Sequence, residues 1–137
     1  MSLRFEIEVK GAYLHVLCGG EFDLEAVKDM FRAMFDAADE HSMARVLVDG
    51  RSLGGSPSTT DRYAMGVCIS EEMLGRARIR GIRIGFVGSE PVVDSERFGE
   101  TVAKNRGCTV RVGTDMKGIL DWLEIDPADR PGVGGGE

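Results

Sequence analysis

The stretch that decides the fold is Ala44 to Asp61, A-R-V-L-V-D-G-R-S-L-G-G-S-P-S-T-T-D. Arg45 to Asp49 is a short, mostly apolar run suited to a strand buried on both faces. A glycine-rich loop should follow it and lead to a helix start at Ser58. Ser58-Thr59-Thr60-Asp61 has the form of a capping box, with aspartate in place of the usual glutamate. A strand feeding a helix N-terminus through such a loop is where α/β proteins often keep their chemistry or their switch.

Working outward, Leu3, Phe5, Ile7 and Val9 alternate with Arg4, Glu6, Glu8 and Lys10, the period of a half-buried strand. Lys10-Gly11 can turn, and Tyr13 to Cys18 reads as its hairpin partner, broken by Gly19-Gly20. Asp23 is positioned to cap a helix in which Leu24, Val27, Met30, Phe31, Met34, Phe35 and Ala38 form an apolar stripe. The helix opened by Ser58 should run to about Gly75. Gly81 to Val87 is the next strand, and a third helix should start at Asp94 or Ser95 and end at Asn105-Arg106-Gly107. Thr109 to Val112 is a last strand, and Thr114 should cap a final helix with Ile119, Leu120, Trp122 and Leu123. The order β-β-α-β-α-β-α-β-α implies an α/β domain over 1–124. Its N-terminal hairpin should lead into a mixed, mostly parallel sheet. From Ile125 onward, D-P-A-D-R-P-G-V-G-G-G-E reads as a disordered tail over 125–137.

Composition narrows the function. The 137 residues carry a net charge of −6, and an acidic surplus argues against nucleic acid as partner. Glu124, Asp126, Asp129 and Glu137 against Arg130 place half of that charge at the C-terminal end. Cys18, Cys68 and Cys108 are far apart and lack C-x-x-C spacing, as expected of reduced thiols in a cytoplasmic protein. No apolar run reaches the length of about 18 residues that a transmembrane segment needs.

Ser58 has two readings: a plain N-cap, or a phosphoacceptor whose phosphate would meet unpaired N–H groups and the helix dipole. Gly54-Gly55-Ser56 could cradle an anion through backbone N–H groups, or serve turn geometry alone. It is not a phosphate-binding P-loop, because no Gly-Lys-Ser/Thr ending follows. Arg76, Arg78, Arg80 and Arg83 form a basic cluster that could hold an acidic partner or anionic ligand, or could pair with acids such as Glu71 and Glu72. Met30, Met34, Met65 and Met73 read as core, or as an adaptable surface for apolar partners. His15 and His41 have no evident nucleophile to serve, Asp49 has no acid–base partner, and no metal-ligand spacing occurs. Catalysis is therefore not expected, and neither is a cofactor.

The chain resembles the SpoIIAA-like group of STAS domains, related to bacterial anti-sigma-factor antagonists. The element order, R-V-L-V-D-G-R-S-L at 45–53, and R-F-G-E-T-V-A-K-N-R-G-C-T-V-R-V-G-T-D-M-K-G-I-L-D-W-L at 97–123 carry the resemblance. It implies a small regulatory binding module that takes a protein partner or a small amphipathic or anionic ligand, lipids included. A homodimer is compatible with it. In the antagonists a serine at the start of the second helix is phosphorylated, and Ser58 falls at that register. Pro57 and Thr60 replace the usual Asp and Gly around it. The binding surface expected from all of this comprises Ser56, Ser58 and Thr59 with Arg76, Arg78 and Arg80. The competing enzyme reading is a small hydrolase or transferase using Asp49 and Ser58.

Overall fold

The computed structural model describes residues 2–76, 81–94 and 96–131. Five strands form one sheet in sequence order: β1 (Arg4–Val9), β2 (Leu14–Glu21), β3 (Arg45–Gly54), β4 (Arg83–Gly88) and β5 (Thr109–Gly113). β1 and β2 pair antiparallel as the expected hairpin, and every later neighbour is parallel. The helices are α1 (Leu24–Glu40), α2 (Thr59–Leu74), α3 (Phe98–Asn105) and α4 (Met116–Leu123).

Strand alternation divides the core in two. Val46 and Val48 of β3 point to one face, where the stripe of α1 joins Cys68 and Ile69 of α2 and Ala103 of α3. Leu47 points to the other, where Ile119, Leu120 and Leu123 of α4 pack with Tyr13 and Val87. β3 is thus covered on both faces, as its composition requires. Met30 and Met34 are buried and Met65 and Met73 pack against the same core, so these methionines are core residues.

Several boundaries differ from the sequence expectation. Gly19-Gly20 does not end β2, and β3 does not end at Asp49. After a register shift between Leu17 and Gly19, residues 19–21 pair with Ser52, Leu53 and Gly54. Gly20 is required there: its φ is +98°, and a Cβ would run into the Ser2 carbonyl oxygen. α3 starts later than Asp94 or Ser95. Its N-cap is Arg97 in the left-handed region, while Asp94 stays outside and accepts from the Phe98 N–H at 3.2 Å. Ser95 lies outside the described residues. The cap of α4 is Asp115, one residue past Thr114, accepting from Gly118 N–H at 3.2 Å.

The C-terminal segment also departs from expectation. Ile125 is buried in the α4 core, and a 3₁₀ turn follows at Pro127–Asp129. Tyr13 Oη donates to the Asp129 carbonyl at 3.0 Å, and Arg130 pairs with Asp121 at 2.8 Å. Residues 125–130 are therefore seated on the body, because Ile125 supplies the apolar anchor that the polar composition around it conceals. Residues 132–137 of the expected tail lie outside the described residues.

Candidate functional site

Ser58 sits where the sequence places it. Its Oγ accepts from Asp61 N–H at 3.0 Å, and its own N–H donates to Asp61 Oδ2 at 3.0 Å, a complete capping box. The loop before it is shorter than expected, because β3 runs to Gly54. Gly54 is spent in the sheet, its carbonyl accepting from Phe22 N–H at 2.8 Å, which leaves less backbone free for an anion cradle. Leu53 and Pro57 are buried, whereas Ser56, Ser58, Thr59 and Thr60 are exposed. The result is a polar row held on apolar anchors.

Arg62, one turn into α2, fixes that helix start to the loop after β4. Its Nη1 donates to the Val92 carbonyl at 2.6 Å and its Nη2 to the Pro91 carbonyl at 2.7 Å, with Asp94 paired at 3.3 Å. Sequence reasoning does not find this residue, since nothing in its spacing distinguishes it from a solvated helix arginine.

The basic cluster is elsewhere. Arg76 lies beyond the C-terminal end of α2, and 16 residues of helix at about 1.5 Å each put about 24 Å between it and Ser58. Its guanidinium meets Asp36 at 2.7 Å, Glu72 at 2.9 Å and Asp39 at 3.9 Å. Arg83 donates to the Trp122 carbonyl at 2.8 Å and lies over that indole at 5.4 Å. Both arginines are engaged within the chain. Arg78 and Arg80 fall outside the described residues.

Asp49 does have a partner, but not an acid–base one. Arg51 grips it through Nε to Oδ1 and Nη2 to Oδ2, both at 2.9 Å. Burial opposes the carboxylate's charge, yet the Arg51 side-chain and backbone hydrogen bonds outweigh it and hold Asp49 below the ordinary range. The shallow cleft beside Asp49 is lined by Arg4, Glu6, Arg51 and Ser52, and Ser58 is not among its walls. The two residues of the enzyme reading therefore do not share a pocket. His15 is buried with neither ring nitrogen hydrogen-bonded, and burial lowers its pKa despite Asp49 and Glu8 nearby. All three cysteines are buried and free, and burial pushes Cys18 up to about 11, away from thiolate chemistry. Among the described residues no His, Cys, Asp and Glu group could hold a metal ion, and no helix is long and apolar enough to cross a membrane.

Among the described residues, a hairpin leads a five-stranded mixed sheet in strand order 1-2-3-4-5, with three helices on one face and one on the other, an arrangement like that of SpoIIAA. No protein-family model matches the sequence, and no curated protein matches it. Solved structures do. An anti-sigma factor antagonist from Mycobacterium paratuberculosis superposes with a TM-score of 0.59 at 13% identity, over 90% of this chain and 95% of that one. The anti-sigma factor antagonist SpoIIAA in its unphosphorylated form gives 0.56 at 14% identity, over 90% of this chain and 99% of that one. At such identities the likeness concerns the fold, and it agrees with the resemblance read from the sequence.

Proposed function

We propose that this chain is a non-catalytic regulatory module that docks a partner protein on the surface formed by residues 52–60 and the first turn of α2. The observation that carries this reading is the exposed row Ser56, Ser58, Thr59 and Thr60 on a rigid base. That base is made by buried Pro57, the Phe22–Gly54 hydrogen bond and the Arg62 clamp on Pro91 and Val92. A polar surface already held in one conformation loses little entropy on association. Likeness of fold to anti-sigma factor antagonists supports a protein as the occupant.

Site-specific photocrosslinking in the native cells tests it. A crosslinker at Ser56 or Thr59 should yield one and the same adduct, and a crosslinker at exposed Glu40 should not. Adducts that do not depend on position overturn the proposal. Arg78 and Arg80 remain a separate proposed contact for an acidic partner, since Arg76 at that end of α2 is already paired. Charge reversal at both should weaken capture without affecting the Ser56 adduct.

A second reading makes Ser58 a phosphorylation switch, favoured by its exposure at a helix start. A phosphate there would add charge to the docking row where the helix dipole tolerates it. Intact-mass analysis of protein from native cells, with and without phosphatase, decides this. An unmodified Ser58 under every growth condition removes the switch and leaves the docking reading standing.

A further inference from the structure

Between the sheet and helices α1 to α3 lies a cavity of about 90 Å³. Its deep wall is apolar, made by Met30, Val48, Ile69, Ile84 and Val110. That is space for about three waters at their liquid volume, but apolar cavities stay dry and accept apolar guests instead. The walls resist collapse. Gly66 of α2 meets α3 so closely that a Cβ would lie 2.8 Å from Val102, and Arg62 holds the loop at 91–94 beside the opening.

Four charged residues stand around the cavity, and three of their side chains are occupied. Arg62 is paired with Asp94 at 3.3 Å. Glu100 accepts from Val112 N–H at 2.7 Å and faces Lys104 at 3.6 Å. Arg97 is exposed, and among the described residues its guanidinium has no partner. Its backbone is in the left-handed region, with φ at 51°, and the residue is one of those around the cavity. An apolar cavity with one uncommitted cation at its edge fits an amphipathic anion.

We propose that this cavity binds a short aliphatic monocarboxylate, its chain among Ile69, Ile84 and Val110 and its carboxylate on Arg97. A guanidinium fork matches a carboxylate in geometry. The neighbouring Asp94 and Glu100 disfavour a doubly charged head group such as a phosphate monoester. The volume fits a chain of about three or four carbons inside, with the rest in the opening. The cavity shares Leu53 and Arg62 with the base of the proposed docking surface but none of its exposed row, and it is tested without a partner, so the two proposals can fail independently.

Hexanoate and 1-hexanol, titrated separately into the ¹³C-methyl-labelled chain, provide the test by NMR. Both should shift the methyl groups of Ile69, Ile84 and Val110 saturably. Arg97→Gln should weaken hexanoate by about fivefold, the value of one charge-assisted contact at an exposed residue, and 1-hexanol by less than about twofold. Val110→Phe, which fills the cavity, should abolish both. Shifts located elsewhere, or none that saturate, overturn the site. Equal weakening of acid and alcohol by Arg97→Gln, or no weakening of hexanoate, overturns the carboxylate assignment. Should Val110→Phe not fold, the shift map on the unaltered chain still decides the location.

Discussion

Gly66→Ala opposes two effects of similar size, and the structure determines which wins. Gly66 lies inside α2, where replacing glycine by alanine gains about 0.8–1 kcal/mol of helix propensity. Here the added methyl would sit 2.8 Å from both Cβ and Cγ1 of Val102 and 2.9 Å from the Gly99 carbonyl oxygen. Two of those contacts are to the backbone of α3 or to the carbon rooted on it, so no rotamer change relieves them and α3 must move. Overpacking of that kind costs about 1–3 kcal/mol. The net expectation is a loss of about 1 kcal/mol. At an unfolding entropy of about 2.1 cal/mol/K per residue, a folded body of this length loses about 4 °C in Tm. Differential scanning calorimetry measures it, with Gly75→Ala as control. Gly75 caps α2 with nothing nearer than 3.9 Å to an added Cβ and a φ of −80°, so its Tm should hardly change. A rise in Tm for Gly66→Ala would mean that propensity wins, and the close α2–α3 contact that walls the cavity would be refuted.

Ser58→Ala removes the cap of α2 and should cost about 1 kcal/mol, whereas Ser58→Asp keeps a capping oxygen and should retain most of the stability. Urea unfolding separates the two, and equal losses would contradict the capping role. Acid should destabilise the chain in two windows. His15 has its folded pKa lowered by burial, so its stability contribution is complete above its unfolded pKa of about 6.5 and is lost as pH falls from there toward the folded value. Asp49, also lowered, loses its contribution only below about pH 4. Urea midpoints measured against pH should therefore lose the upper window in His15→Phe and the lower one in Arg51→Gln. An unchanged profile in either variant rejects that assignment.

Local chemistry makes much of the fold legible. The apolar stripe of α1 and the Ser58–Asp61 box are short-range patterns, and both elements occur where those patterns put them. The extension of β3 past Asp49 is not legible, because Gly50-Arg51-Ser52 has loop composition and becomes strand only by pairing with residues 19–21. Asp94 looks like a helix start and is one at a distance, since Arg97 turns left-handed between it and Phe98. Ile125 looks isolated in a polar tail, and its burial depends on α4 packing that no local window contains.

The candidate site divides in the same way. Ser56, Ser58 and Thr59 lie together because they are adjacent in sequence, and Arg76 is distant because a whole helix separates it from them. Its choice between binding a ligand and pairing internally depends on Asp36 and Asp39 of α1, contributed from some 40 positions earlier in the chain. Arg62 and Arg97 gain their meaning only from the loop and cavity that tertiary packing places beside them.

The most direct test of the docking claim uses the protein captured at Thr59. Its dissociation constant for the unaltered chain is compared with that for Ser56→Arg, a change at an exposed residue outside the helix. Docking on this row predicts affinity at least about tenfold weaker, the effect of disrupting a residue at the centre of an interface, with Tm unchanged. An unchanged dissociation constant would contradict it.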